Sequence, residues 1–283
     1  MRKLADMSCA VTVEDLGFSE VTTSDVAAEQ VSRLAAALDR SNELSVGDHV
    51  PLLWHWALFT PTLPNSELGD DGHPRRPLEA ATAGFPRRMF AGGETRQIRP
   101  LILGRQATRH ASILDVQQKS GRSGQLLVVT VAFEVQQNGN VAIVEEQTLI
   151  YREATSPLLD PSLKPQVVPR ASGWREEITV DRVTLFRFSA ATFNAHRIHY
   201  DEVYARQKED YPGLVVQGPL TALLLAESAA EHLGRDLQKF SFRATAPLFE
   251  GQRFYLLGEW DGLGALLKAV RGDGAVAMSA STT

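Results

Sequence analysis

The sequence predicts an α+β protein made of two related units in tandem, the second an antiparallel sheet wrapped around a helix and the first sheet-rich without an equally clear central helix. Three observations predict it. Residues 220–233, behind Gly218-Pro219, are apolar nearly all round, which marks a buried helix. Strand-like runs follow that helix in the second half, and an antiparallel meander fills 94–153 in the first. Between them, residues 154–173 carry Pro157, Pro161, Pro165 and Pro169 without periodicity, as an inter-domain linker does. The expected division is therefore 1–153, 154–173 and 174–283, and 283 residues suit two units of ~140.

Each element has its own signal. Ala27, Val31, Leu34, Ala35 and Leu38 recur at helical spacing, so 26–39 reads as an amphipathic helix, with possible N-caps among Thr22 to Asp25. Residues 60–88 hold Pro61, Pro64, Pro74, Pro77 and Pro86, with Gly69, Asp70, Asp71 and Gly72 between them. A loop this long is either a flap beside a ligand or a surface excursion, and aromatic and basic flanks (Trp54-His55-Trp56, Phe85 to Phe90) accompany it. The run from Leu126 to Val135 is rich in β-formers, Asn138-Gly139 is a two-residue hairpin signal, and Val141 to Tyr151 is the return strand. The second half restarts with strand-like runs at 178–180 and 183–186. Gly218-Pro219 and Gly234 bracket the buried helix as start and C′ residue. Phe240, Phe242, Ala244 and Ala246 alternate as a strand, and further runs follow at 253–259 and 265–270.

Composition narrows the function classes. A net charge of −5 argues against a nucleic-acid surface. Cys9 is the single cysteine, so neither an internal disulfide nor a thiolate metal site is expected, and a reducing cytoplasm fits. No apolar run reaches the ~20 residues that span a bilayer, and the N-terminus lacks an apolar signal core. Metal-protease, dinucleotide, P-loop and nucleophile-elbow motifs are absent.

The densest polar cluster runs from Phe188 to Asp201, with Asn194, His196, Arg197, His199 and Tyr200 inside it. From composition alone such a cluster serves a site or a structural hydrogen-bond network equally well. The runs FSAATFNAHRIHYDEVYA, YPGLVVQGPLTALLL and FSFRATAPLFEGQ resemble the MaoC-like branch of the hot-dog-fold hydratases. Within it they are similar to double-hot-dog members acting on branched dicarboxylic acyl-CoAs (mesaconyl-C4-, itaconyl- and 3-methylfumaryl-CoA hydratases), and to the mitochondrial hydroxyacyl-thioester dehydratases. GFPRRMFAGG at 84–93 resembles their N-terminal unit.

The resemblance implies a double hot-dog fold with a degenerate first unit, and a hydro-lyase acting on an acyl-CoA or acyl-carrier thioester. It implies no cofactor beyond the coenzyme A of the substrate, no metal, no nucleic-acid or membrane partner, and either a monomer or a homodimer. It places the motif histidine at His199 and the oxyanion amide at Gly218. The motif's Asp position is Asn194, its Asn position His196 and its Pro position Arg197, so the usual pair of bases is incomplete. Asn194 either holds water beside His199 or makes an Asx turn. Asp201 reads as the N-cap of a short helix at 202–208. His196, Arg197, Tyr200, Arg243, Arg87 and Arg88 are candidates for substrate contact, the arginines toward a carboxylate or a phosphate. A thioesterase and a non-catalytic thioester-binding subunit remain alternatives.

The chemistry sets its own demand. Water (pKa near 15.7) and an unperturbed histidine (near 6.5) differ by ~9 units, or about 12 kcal/mol. His199 therefore cannot make hydroxide in advance. Proton removal has to accompany attack on a carbon already polarised by a donor at the thioester oxygen, where a helix-start N–H is suited to an anion.

Overall fold

The first half supplies the strands β1 (Ser19–Asp25), β2 (Arg87–Gln97), β3 (Gln106–Gly121), β4 (Gly124–Gln137) and β5 (Asn140–Arg152). The second supplies β6 (Trp174–Thr179), β7 (Lys239–Ala244), β8 (Arg253–Asp261), β9 (Gly264–Arg271) and β10 (Val276–Thr282). All ten form one sheet in the order β1-β3-β4-β5-β2-β7-β10-β9-β8-β6. Read inward from either edge, each half presents its first, third, fourth, fifth and second strand, and the halves meet at a β2–β7 seam from Gly92↔Arg243 to Arg96↔Lys239. The computed structural model describes residues 18–40, 44–75, 84–121, 124–153 and 170–283, with Val13 and Thr82. The four linker prolines lie outside these residues.

The helices are α1 (Ala28–Ala37), α2 (Arg182–Thr192), α3 (Glu202–Gln207) and α4 (Gly218–Leu233). Pro219 stands in the first turn of α4, and Gly234, at φ 65°, ends it. Leu220, Leu223, Leu225, Ala226 and Ala229 are buried, and the helix packs on β8, β9 and β10. The predicted hairpin joins β4 to β5, with Asn138 and Gly139 at φ 52° and 72°, the pair of positive angles that the tightest hairpin turn requires. Between α1 and β2, where the second half places its long helix, the described residues make two short 3-10 turns, Trp54–Ala57 and Asn65–Glu67, joined by loop. Trp54 is fully buried, and its indole N–H donates to Glu227 of α4 at 2.7 Å, tying the halves together beneath the sheet.

Several expectations change. Val183–Phe186 is helical, not extended: Asp181 accepts hydrogen bonds from the Thr184 N–H (2.8 Å) and hydroxyl (2.7 Å), so its cap outweighs the β-branched composition. Thr22 to Asp25 belong to β1 and do not cap α1, whose N-cap is Ala27 with no side-chain bond. Arg87 to Phe90 start β2, so the flank of the loop is sheet, and Ala246 falls beyond β7. β1 and β10 were not expected.

Candidate active site

The loop between α2 and α3 is fixed at both ends. α2 ends at Phe193 in the left-handed conformation, and the Asn194 N–H donates back to Ser189 O at 2.8 Å. Asn194 Oδ1 accepts from the His196 N–H at 3.1 Å, which is the Asx-turn alternative. At the other end Asp201 accepts from the Tyr204 N–H at 2.9 Å and caps α3. A 3-10 turn, Arg197–His199, lies between them.

His199 is buried, and its Nδ1–H donates to Val215 O at 2.8 Å, leaving Nε2 as the acceptor nitrogen. Burial lowers its pKa to about 4, only partly opposed by the Val215 carbonyl, so the ring is neutral near pH 7. The segment that receives this bond leads into α4. Fully buried Gln217 sends its side-chain N–H groups to Leu185 O (3.0 Å) and Ser189 Oγ (2.9 Å), locking the start of α4 to α2. The Gly218 N–H that follows has no protein acceptor among the described residues.

A cavity of about 1400 Å³ is lined by His199, Gly218, Asn194, His196, Tyr200 and Arg88, among others from both halves. The imidazole at 199 and the amide at 218 thus border one space. Three candidates lie elsewhere. Buried Arg87 bonds Asp210 at 2.5 Å with Glu209 nearby. Arg197 holds Asp201 (2.7 Å), donates to Asp70 O (3.0 Å) and covers the Tyr204 ring. Arg243 is an exposed residue of the β2–β7 seam. Local carboxylates and carbonyls claimed the first two, which sequence spacing cannot foresee. Arg152 of β5 does line the cavity. Its Nε is buried without a hydrogen-bond partner among the described residues, and one Nη lies 3.5 Å from Met89 Sδ.

Two polar features were not anticipated. In the first half, Glu145 bonds His55 Nε2 (2.7 Å), the Trp56 indole N–H (2.8 Å) and Gln147 (2.7 Å). Burial opposes ionisation of Glu145, but His55 and these donors hold its carboxyl below the usual range. The second feature is Asp71 with His73, on the stretch 69–75 of the long loop. Arg197 N–H donates to Asp71 O at 2.9 Å, and Gly72 (φ 89°) lies so close to Ala195 O that a Cβ would sit 1.9 Å from it. The His73 ring is 4.2 Å from that of His196, which is 5.4 Å from that of His199. The loop therefore borders the cavity, as a flap beside a ligand would. The length of the loop and its aromatic and basic flanks signalled a flap; its contact with Ala195 to Arg197, over a hundred residues away, had no signal in the sequence.

Comparison with known proteins completes the description. The profile of the hydroxyacyl-thioester dehydratase type 2 family matches residues 53–250. Mesaconyl-C(4)-CoA hydratase of Chloroflexus aurantiacus is 43% identical over 276 residues, covering 97% of this chain and 98% of that one. A MaoC-like dehydratase from Phytophthora capsici superposes with a TM-score of 0.69 at 14% identity (96% and 98% covered). A Mycobacterium tuberculosis protein described as having a double hotdog fold superposes with a TM-score of 0.58 at 12% identity (96% and 97% covered). The fold is accordingly a double hot-dog.

Proposed function

The chain belongs to the hydroxyacyl-thioester dehydratase type 2 family, and on that premise we propose that it is a hydro-lyase acting on the double bond conjugated to an acyl-CoA thioester. One observation carries the chemistry: a buried, neutral imidazole and an unpaired helix-start amide border the same cavity. In the hydration direction, the Gly218 N–H receives the charge that builds on the thioester oxygen, while His199 Nε2 takes a proton from the attacking water. Gly218 lets the thioester approach the backbone closely. Asn194, an amide, accepts no proton. Its part is to hold the loop that presents His196 and His199.

The favoured substrate is a branched dicarboxylic acyl-CoA. The 43% identity to a mesaconyl-C(4)-CoA hydratase supports this, and so does a cavity lined by Arg88 and by Arg152, whose buried Nε lacks a partner among the described residues. A second carboxylate beside such a guanidinium makes a charge-assisted pair. The test is to follow enoyl absorbance and free thiol together on itaconyl-, mesaconyl- and crotonyl-CoA. Loss of absorbance without thiol, fastest on the dicarboxylic substrates, is the expected result. Thiol release would make the protein a thioesterase, and preference for crotonyl-CoA would remove the dicarboxylate assignment.

A further inference from the structure

We infer that Asp71 and His73 form the second proton-transfer pair of this cavity, supplying from the first half the function that Asn194 cannot supply from the second. The inference rests on the hydratase reading above. Both Asp71 oxygens accept from His73: Oδ1 from its backbone N–H and Oδ2 from the ring Nδ1–H, each at 2.9 Å. This commits Nδ1 and its hydrogen to Asp71, and we assign the proton exchange to the other ring nitrogen, Nε2. Asp71, His73 and His196 place their donor atoms within 4.8 Å of one another, as a metal site also would, but both carboxylate oxygens are already committed to His73.

The pair is held against the second half. Arg197 donates to Asp71 O through its backbone and to Asp70 O through its guanidinium, and Gly72 nests on Ala195 O. This docking accounts for Arg197 being unavailable to a substrate. Arg88, His196 and His199 face the pair from the cavity, with Arg197, Tyr204 and Glu209 on the Asp71 side. Burial works against ionised Asp71, but the bonds from His73, with Arg88 further off, keep it below the usual carboxylate range, so it stands beside the ring as a carboxylate. Burial, with His73, His199 and Arg88 around it, holds His196 neutral, which suits a conduit rather than a store of charge.

The proton balance follows. Water's oxygen bonds Cβ as one of its protons moves to His199 Nε2. The π pair shifts toward Cα and the thioester oxygen. Cα then takes the Nε2 proton of His73, which becomes neutral with Nδ1–H still on Asp71. The enzyme is restored when the proton on His199 returns to His73 by way of His196, whose ring stands between the other two. Dehydration runs the same steps backwards.

The test measures kcat and KM for hydration by the full chain and by His73→Ala and Asp71→Asn, with thermal melts alongside. His73→Ala should lower kcat about 100-fold with KM changed by less than about threefold. Added imidazole should restore about tenfold or more of the loss, which a merely structural residue would not permit. Asp71→Asn should lower kcat about tenfold. Should His73→Ala fail to fold, His73→Gln, which can still donate toward Asp71, should show the same kcat loss. An unchanged kcat, a loss confined to KM, or a loss that imidazole does not touch would overturn the inference. So would wild-type activity abolished by a chelator and restored by zinc, which would make the cluster a metal site. A wild type that hydrates while His73→Ala does so equally well sinks this inference alone. A wild type inert toward every enoyl thioester sinks the hydratase reading and this inference with it.

Discussion

The two halves of the sheet repeat one strand order but cover it differently. In the second half a 16-residue helix lies on β8, β9 and β10, and its Leu220, Leu223, Leu225, Ala226 and Ala229 fill the concave face. In the first half the described residues of the corresponding segment form two short 3-10 turns and loop, and Ile113, Val131 and Leu149 line the cavity there. The first half thus contributes an apolar wall to the cavity, and the second contributes the amide at the start of its helix; on the proposed chemistry these face the acyl chain and the thioester. The polar clusters divide likewise: His55 and Glu145 are locked in a buried network, whereas His199 keeps an acceptor nitrogen.

Substitutions should separate these roles, the largest effect first. His199→Ala should cost about 10³-fold in kcat with the fold retained, measured as initial rate beside a thermal melt. Near-wild-type turnover would dissolve the assignment of chemistry to the second half. His55→Ala should instead destabilise the protein by about 3 kcal/mol in a urea melt, because Glu145 is left charged and buried without its partner.

Acid should affect the halves in sequence. An unfolded histidine near 6.5 binds protons that the buried His199, near 4, does not, so stability is full above about pH 6.5 and falls as pH drops toward 4, by about 3 kcal/mol from this ring. His196, also depressed, adds in the same direction. Glu145, whose carboxyl is held below its ordinary range, loses its contribution only at lower pH. Melts of His199→Gln between pH 7 and 4 should show a flatter slope, and an unchanged slope would refute the shift. Smallest, Gly218→Ala places a Cβ 3.1 Å from the Phe90 ring and should lower kcat/KM about tenfold with little change in melting temperature.

Much of the fold was legible where its signals are local. Gly218-Pro219 and Gly234 bracket α4 as written, Asp201 caps α3, and Asn138-Gly139 makes the hairpin. β10 was not legible: Val276 to Thr282 carries mostly small side chains, and its strand character comes from pairing with β7 and β9. Val183 to Phe186 reads as strand by composition and folds as helix by its cap. In the site, His199 and Gly218 stand within one stretch of chain, and the structure places both on one cavity. Asp71 and His73 reach it only through tertiary packing, and the partners of Arg87 and Arg197 depend on the same packing.

The ladder between β2 and β7 has a further consequence. Were the two sheet halves separate chains, the pocket would assemble only above their dissociation concentration, and each mutation would strike both copies at once. Joined in one polypeptide, the halves stay together at any dilution, and a change at position 55 or 73 has no mirror image at 199 or 218. Either half is then free to diverge while the other keeps its own residues.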